Sequence, residues 1–338
     1  MELWTARVPR ISGGVEQAQR DEAAGWDGIT ITDSQNLAPD PFVAIALAAA
    51  ATKTLRFGTG VTNAFTRHPA ALATAAASVQ ETSGGRMMLG IGRGDTALFH
   101  LGRQPMKVAD FITRTEQLQA YLSGATVDCD GFPSRISWFD RATQPKVPLD
   151  VAASGPKVIA FAARIAERIT FAVGADPDRV AWAVDLARKA AADAGRTDGG
   201  PALGAYVNVG CHPNPDVGRD LIRATVAAFA HFSAMPGSTG AGLAEDDRAI
   251  VADVGRRYDS RQHLQYTATH SEALPPDFVD RFAIVGPPER CVERISELAA
   301  LGLGRFVITW ASFGADREQA RLSSRLVVDE ILPALRRS

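Results

Sequence analysis

Only three cysteines occur in the 338 residues, Cys129, Cys211 and Cys291, and no CxxC pair is among them. An odd number cannot be fully paired within one chain, so a reducing, cytoplasmic compartment is expected. Histidine is sparse too, six residues with no HExxH-type spacing, and no metal site is expected. There is no GxSxG elbow and no Walker loop, which disfavours hydrolase and nucleoside-triphosphatase chemistry. No run of about 18 apolar residues is present to span a bilayer. The opening MELWTARVPR reads as a first strand instead of a signal segment. Charge of one sign is also missing: 36 basic residues face 38 acidic ones, a net −2. Nucleic acid and membrane surfaces call for a basic face, so neither is an expected partner. A small-molecule substrate remains.

What the chain does have is alternation. Runs rich in Val, Ile and Thr (Glu2–Val8, Asp27–Thr32, Leu55–Val61, Met87–Gly92, Leu149–Ala153, Ile169–Val173, Ala202–Val209 and Phe306–Trp310) alternate with helix-like runs. GITIT, MMLGIG and RFVITW are near-continuously apolar, as strands covered on both faces are. Asp176-Pro177 and Pro69 open helices, and Gly84-Gly85 and Gly195 close them. Eight parallel strand units fit an α/β class TIM (β/α)8 barrel better than an open doubly wound sheet. One domain over 1–338 is expected, with a helical insertion before the last strand at about 211–282. Its helix-like pieces are Val217–Phe232 and Glu245–Tyr258. A connection that long is a lid, a substrate wall or an oligomer contact.

The stretch FGTGVTNAFTRHPAALATAAASVQETSGGRMMLGIGRGD, residues 57–95, holds two strands that both run out into glycine and short polar residues. At the C-terminal mouth of a parallel sheet, such a layout offers bare main chain to a flat ligand. GIGRGD fails as a dinucleotide fingerprint, because the third glycine and the later acidic residue are missing. Read as a turn, it lets Gly92 and Gly94 open space and Asp95 orient a partner. Asp33-Ser34 ends the second strand as a site residue or a helix cap. Ser154-Gly155-Pro156 opens a helix, where exposed amides and the helix dipole make an anion site or simply a cap. Gly174 and Ala175 on the next strand could close the same pocket. Arg67 can pair with a carboxylate and His68 can cap a helix. Trp4 and Trp310 wall a ligand or sit in the core.

With these residues in view, the chain resembles the bacterial luciferase-like family of flavin- and deazaflavin-dependent oxidoreductases. The nearer branch is that of methylenetetrahydromethanopterin reductase and the F-420-dependent sugar-phosphate dehydrogenases. The blocks GWDGITITDS, GTGVTNAFTRHPAALATAAASVQETSGGRMMLGIGRGD, VAASGPKVIAFAARIAERI and FAIVGPPERCVERISELAALGLGRFVI carry the likeness over nearly the whole chain. The resemblance implies hydride transfer from reduced coenzyme F-420, or alternatively a monooxygenase using reduced FMN. A protein that binds a flavin without turning it over is the third reading. By resemblance, Asp33 lies beside the cofactor ring, and Ser34 stands where histidine is common. Gly60-Val61 is a non-prolyl cis peptide behind the ring, and Asp95 and Thr96 are ring contacts. Leu98 replaces a polar residue of the sugar-phosphate enzymes. Ser154 and Gly155, with Gly174 beside them, cradle the phosphate. The family also implies a homodimer and a separate flavin or F-420 reductase as partner.

Overall fold

The structure, a computed structural model, describes residues 1–338 except Thr239, Ala273 and Ser338. Its strands are, in chain order, β1 (Glu2–Arg7), β2 (Gly28–Ile31), β3 (Arg56–Thr59), β4 (Met87–Ile91), β5 (Val127–Cys129), β6 (Phe132–Ser134), β7 (Leu149–Ala153), β8 (Arg168–Phe171), β9 (Ala202–Cys211), β10 (Ile284–Gly286) and β11 (Arg305–Thr309). One sheet runs β10-β9-β11-β1-β2-β3-β4-β7-β8, and β9 also pairs with β8. Eight strands thereby close on one another, which is the TIM-type barrel. All eight expected strand runs are present, with ends within two residues of those expected. Two features were not anticipated. β10 pairs in parallel beside the end of β9, with Ile284 opposite Val209, in a stretch too short to stand out between Phe282 and Pro287. β5 and β6 form an antiparallel hairpin around Asp130-Gly131, both at positive φ (52° and 86°). Asp-Gly is the pair that such a two-residue turn favours.

The chain divides into two compact units, one of residues 5–152 and 165–168, the other of residues 1–4, 153–164 and 169–338. In the first, α1 (Gly14–Ala23), α2 (Pro41–Ala50), α3 (Pro69–Ser83), α4 (Thr96–Phe99) and α5 (Val108–Leu122) alternate with parallel strands. Proline at the first position starts α2 and α3, where its missing N–H costs nothing. The Asp40 carboxylate accepts from the N–H groups of Phe42 and Val43, and Gly84 at φ 66° closes α3. Ile29 faces Phe57, Phe57 faces Met87 and Leu89 faces Leu149, all buried. Burial of each such side chain contributes about 1.5–3 kcal/mol. The chain entering β3 is held by one carboxylate: Glu22 Oε1 accepts from the N–H groups of Lys53, Thr54 and Leu55. Desolvation works the other way, yet these bonds hold the Glu22 carboxyl down at about 2.

The second unit carries α6 (Pro156–Ile165), α7 (Pro177–Asp193), α8 (Pro215–Ala234), α9 (Glu245–Arg257), α10 (Pro276–Phe282), α11 (Pro288–Ala300) and α12 (Arg317–Leu326). Asp176 caps α7 through the Arg179 N–H at 2.9 Å. Between Cys211 and Phe282 the described residues form helices and turns without a sheet strand, as the sequence predicted. Trp4 is 2% exposed beneath the Arg305 guanidinium, which lies 4.8 Å from its ring centroid. The core reading of Trp4 holds. Among the described residues no helix is long and apolar enough to cross a membrane.

Candidate functional site

The end of β2 and the loop after β3 are tied together through one carboxylate. Asp33 is buried, and its Oδ2 accepts from Thr62 Oγ1 at 2.7 Å and Arg67 Nε at 3.1 Å. Arg67 Nη2 reaches on to Asp40 at 2.8 Å, so the guanidinium bridges two carboxylates while its carbon lies 5.3 Å from the Phe42 ring centroid. Burial opposes the effect, but Arg67 and the first-turn amides of α2 hold the Asp40 carboxyl below its ordinary value. The helix cap is therefore Asp40, and Asp33 is left for other use. The Asp33 Oδ1 contact to Arg67 is long, 3.4 Å, so that oxygen keeps acceptor capacity for a ligand N–H or O–H.

The Gly60-Val61 peptide is cis. It lies in a bulge: β3 pairs with β4 through Gly58 and Met88, then again through Thr62 and Ile91, so four steps on one side face three on the other. The bulge dictates the glycines opposite. A Cβ on Gly90 would fall on the Thr59 carbonyl oxygen, and one on Gly92 would lie 2.8 Å from Val61 Cγ2. On Gly94, at φ 75°, a Cβ would lie 2.9 Å from the Leu98 side chain. Gly92 and Gly94 thus make room for Val61 and Leu98 of the same chain, where the sequence suggested open space for a ligand. Leu98 is fully buried and has that packing role.

Asp95 and Thr96 stand at the start of α4, and Thr96 is buried. The Ser34 carbonyl accepts from the N–H groups of Leu37 and Ala38, which turns the loop after β2. Gln35 Nε2 donates to the Ala97 carbonyl at 2.8 Å and joins that loop to α4. His68 is the cap of α3, its Nδ1 accepting from the Ala70 N–H. The His100 ring stands edge-on to Phe99 at 5.5 Å, and its buried Nε2 has no hydrogen-bond partner among the described residues. Asn63, not singled out from sequence, accepts from the N–H groups of Phe65 and Thr66 and shapes the loop that carries Arg67.

In the second unit, Ser154 and Gly155 precede α6 and meet the insertion. Ser154 Oγ donates to the Phe232 carbonyl at 3.1 Å and lies 3.0 Å from Ser238 Oγ. A Cβ on Gly155 would lie 2.6 Å from the Gly237 carbonyl oxygen and 2.8 Å from Ser238 Cα. Gly174, at φ 83°, has the Phe282 ring where a Cβ would stand. Beyond α8, His231 stacks on Tyr258 at 3.9 Å and 6°, the Tyr258 hydroxyl bonds to His263 Nδ1, and His270 lies 4.4 Å from the Tyr258 ring. Burial, then the nearby His231, pushes the His270 pKa below its ordinary value, against the pull of Asp259. Trp4, His68, His100 and His270 are thus core, helix cap, a neighbour of Phe99 and part of this cluster. Among the described residues no three His, Cys, Asp or Glu side chains could share a metal ion.

Residues 3–305 match the family model of the luciferase-like monooxygenases. The chain belongs to that family. It is 27% identical over 320 residues to 5,10-methylenetetrahydromethanopterin reductase of Archaeoglobus fulgidus, covering 93% of each chain. The solved F-420-dependent tetrahydromethanopterin reductase of Methanopyrus kandleri superposes with a TM-score of 0.73 at 22% identity, over 99% of both chains. The oxygenating constituent of 3,6-diketocamphane monooxygenase from Pseudomonas putida, solved with FMN, gives 0.67 at 19% over 98% of both. Relatives and fold neighbours are therefore oxidoreductases that use F-420 or FMN.

Proposed function

We propose that this family member transfers a hydride from reduced coenzyme F-420 to a small organic acceptor. The observation that carries the reading is Asp33: buried at the end of β2, held by Thr62 and Arg67, relieved of helix capping and left with an open acceptor oxygen. An acidic residue at that strand end is the ring contact of the deazaflavin members. The curated relatives, which are methylenetetrahydromethanopterin reductases over 90% or more of this chain in two cases, favour the same cofactor.

Bound there, reduced F-420 would supply the hydride, and the protein's part is orientation and exclusion of water. Asp33 would accept from the ring, with Gly60 and Val61 behind it and Ser34, Asp95 and Thr96 bordering it. The amides of Ser154 and Gly155 and the first turn of α6 would take the phosphate, with Gly174 alongside. A separate F-420 reductase would return the spent cofactor to its reduced form.

Titration of the purified protein with F-420 and with FMN, followed by cofactor fluorescence, tests the assignment. F-420 is expected to bind at least about tenfold more tightly, a difference of about 1.4 kcal/mol. The reverse order would support an FMN-dependent monooxygenase, the reading that the FMN-bound fold neighbour favours. Tight binding with no turnover across ketone, enone, imine and nitroaromatic acceptors would leave a flavin-binding protein.

The chain also suits a homodimer. α2 carries no charged residue, yet Val43 and Leu47 are 52% and 44% exposed on its outer face. A helix apolar all round belongs under a cover, and a second copy would supply it. Val43→Lys is expected to shift the sedimenting species to the monomer.

A further inference from the structure

Exposed apolar side chains are not spread evenly over the first unit. Eleven large hydrophobics are exposed among the described residues, and six of them follow the C-terminal ends of β1–β4: Val8, Ile11, Leu37, Phe65, Phe99 and Leu101. The loops at the opposite end, residues 24–27, 51–55, 84–86 and 142–148, carry none of the eleven. Polar side chains hold that end. Arg86 donates to the carbonyls of Ala49, Thr52 and Leu55, and Glu81 accepts from the N–H groups of Thr143 and Gln144. A single exposed leucine is ordinary, whereas apolar surface gathered at one end marks where something apolar is received.

Internal contacts draw four of the six together. Gln35 Nε2 donates to the Ala97 carbonyl, which seats the Leu37 loop on α4, the helix that ends with Phe99. A Cβ on Gly94 would lie 3.4 Å from Asn63 Cγ. The loop after β4 thus abuts the loop after β3, where Asn63 accepts from the Phe65 N–H. The segment carrying Leu101 closes back on the end of β4: Arg93 Nε donates to the Met106 carbonyl at 2.7 Å, and the Met106 N–H donates to the Arg93 carbonyl.

These are the loops that carry the proposed ring contacts. Leu37 comes three residues after Ser34 and Phe99 three after Thr96. Phe65 lies between Thr62 and Arg67, both of which bond to Asp33. Arg67, the cation nearest Phe65 in the chain, is already shared between Asp33 and Asp40. What the rim adds to the site is apolar surface, with Leu37, Phe65, Phe99 and Leu101 at 56%, 45%, 39% and 46% exposed.

We propose that the hydride acceptor carries an alkyl or aryl body, which packs on Leu37, Phe65, Phe99 and Leu101 while its reducible end enters the site at Asp33. This deepens the function proposed above and rests on it for the reaction, though not for the apolar binding. Full burial of one methylene is worth about fourfold in affinity, and a rim open on one side gives less.

The test is the affinity of 2-butanone, 2-hexanone, 2-octanone and 2-decanone, read by ligand-observed NMR on protein mixed with oxidised F-420. In wild type the affinity should climb at least about thirtyfold from the first ketone to the last, close to twofold per methylene. Phe65→Gln/Phe99→Gln should cut that climb at least tenfold and change affinity for F-420 and for 2-butanone less than threefold. Val43→Gln, on the outer face of α2, should keep the climb within threefold. A climb below threefold in wild type overturns the proposal, and so does a full climb in the double variant. It is equally overturned if the double variant only dissociates a dimer in sedimentation, or only releases phosphatidylcholine vesicles that wild type binds. The rim would then cover a second copy or a bilayer. The substituted side chains are exposed, so the fold should survive; if Phe99→Gln does not fold, Leu37→Gln/Phe65→Gln decides by the same outcomes. A wild type that shows the climb but binds no F-420 sinks the functional reading and leaves the apolar site standing.

Discussion

The mouth of the first unit and the insertion of the second are each organised internally, and by different means. Around Asp33 the linkage is ionic and close in sequence: Asp33, Asp40, Thr62 and Arg67 span 35 positions, with Thr62 and Arg67 on Asp33 and Arg67 reaching on to Asp40. In the insertion the linkage is a stack of rings, a chain of hydroxyls and one buried cation, Arg179, joining residues from Ser154 to His270. The first arrangement fixes the Asp33 carboxylate between Thr62 and Arg67. The second depends on ring contacts among His231, Tyr258 and His270 and on an arginine with no carboxylate within salt-bridge distance among the described residues.

The contrast can be broken most severely at Gly90. Gly90→Ala drives a methyl group into the Thr59 carbonyl, backbone that cannot step aside, and a loss above about 4 kcal/mol is expected. The chain should fail to yield folded protein, read by circular dichroism and solubility. Gly155→Ala meets the insertion loop instead, and displacing it should cost about 1–3 kcal/mol while leaving a folded chain. Equal damage from the two substitutions would contradict the difference drawn here.

Asp33→Ala strips Arg67 of one of its two carboxylates and leaves Thr62 without its acceptor. A loss of about 2–3 kcal/mol in chemical denaturation is expected, less than for a fully buried pair because Asp40 remains. Deazaflavin binding should fall with it. Asp40→Ala, which removes a cap and the outer arm of Arg67, should cost about 1 kcal/mol.

The smallest effects separate the regions by pH. His270 binds its proton less readily in the fold than at its ordinary 6.5, so the unfolded state takes up more protons just below that value. Stability of the insertion should therefore decline as pH falls through about 6.5. Glu22 has its carboxyl pulled from 4.5 to about 2, and its contribution is present above about 4.5 and lost only as pH drops through that lower window. Hydrogen exchange at pH 7, 5.5 and 3.5 should show residues 258–271 loosening first and residues 53–55 last. Simultaneous loosening would remove the distinction.

Much of the fold was readable because the signals are local. Proline at the start of α2, α3, α7 and α8, and glycine after α3, mark helix ends by chemistry that needs no tertiary partner. GITIT and RFVITW are apolar on both faces wherever they are placed. The hairpin at Asp130-Gly131 was equally local and its turn pair went unread among the loops. At the site, Arg67 as a carboxylate partner and His68 as a cap were legible from position. The purpose of Gly90 and Gly92 was not, since only the bulge at Gly60–Val61 reveals what presses on them. Arg179 was invisible for a similar reason: one arginine on the buried face of α7 gives no sign that its partners Ser233 and Ala241 lie 54 and 62 residues onward.

The most direct test of the account is equilibrium binding of F-420 and FMN to wild type and to Asp33→Ala, read by deazaflavin and flavin fluorescence. F-420 is expected to bind wild type more tightly than FMN and to lose at least about tenfold in the variant, which keeps its fold. Unchanged F-420 affinity without Asp33, or FMN bound in preference by the wild type, would contradict it.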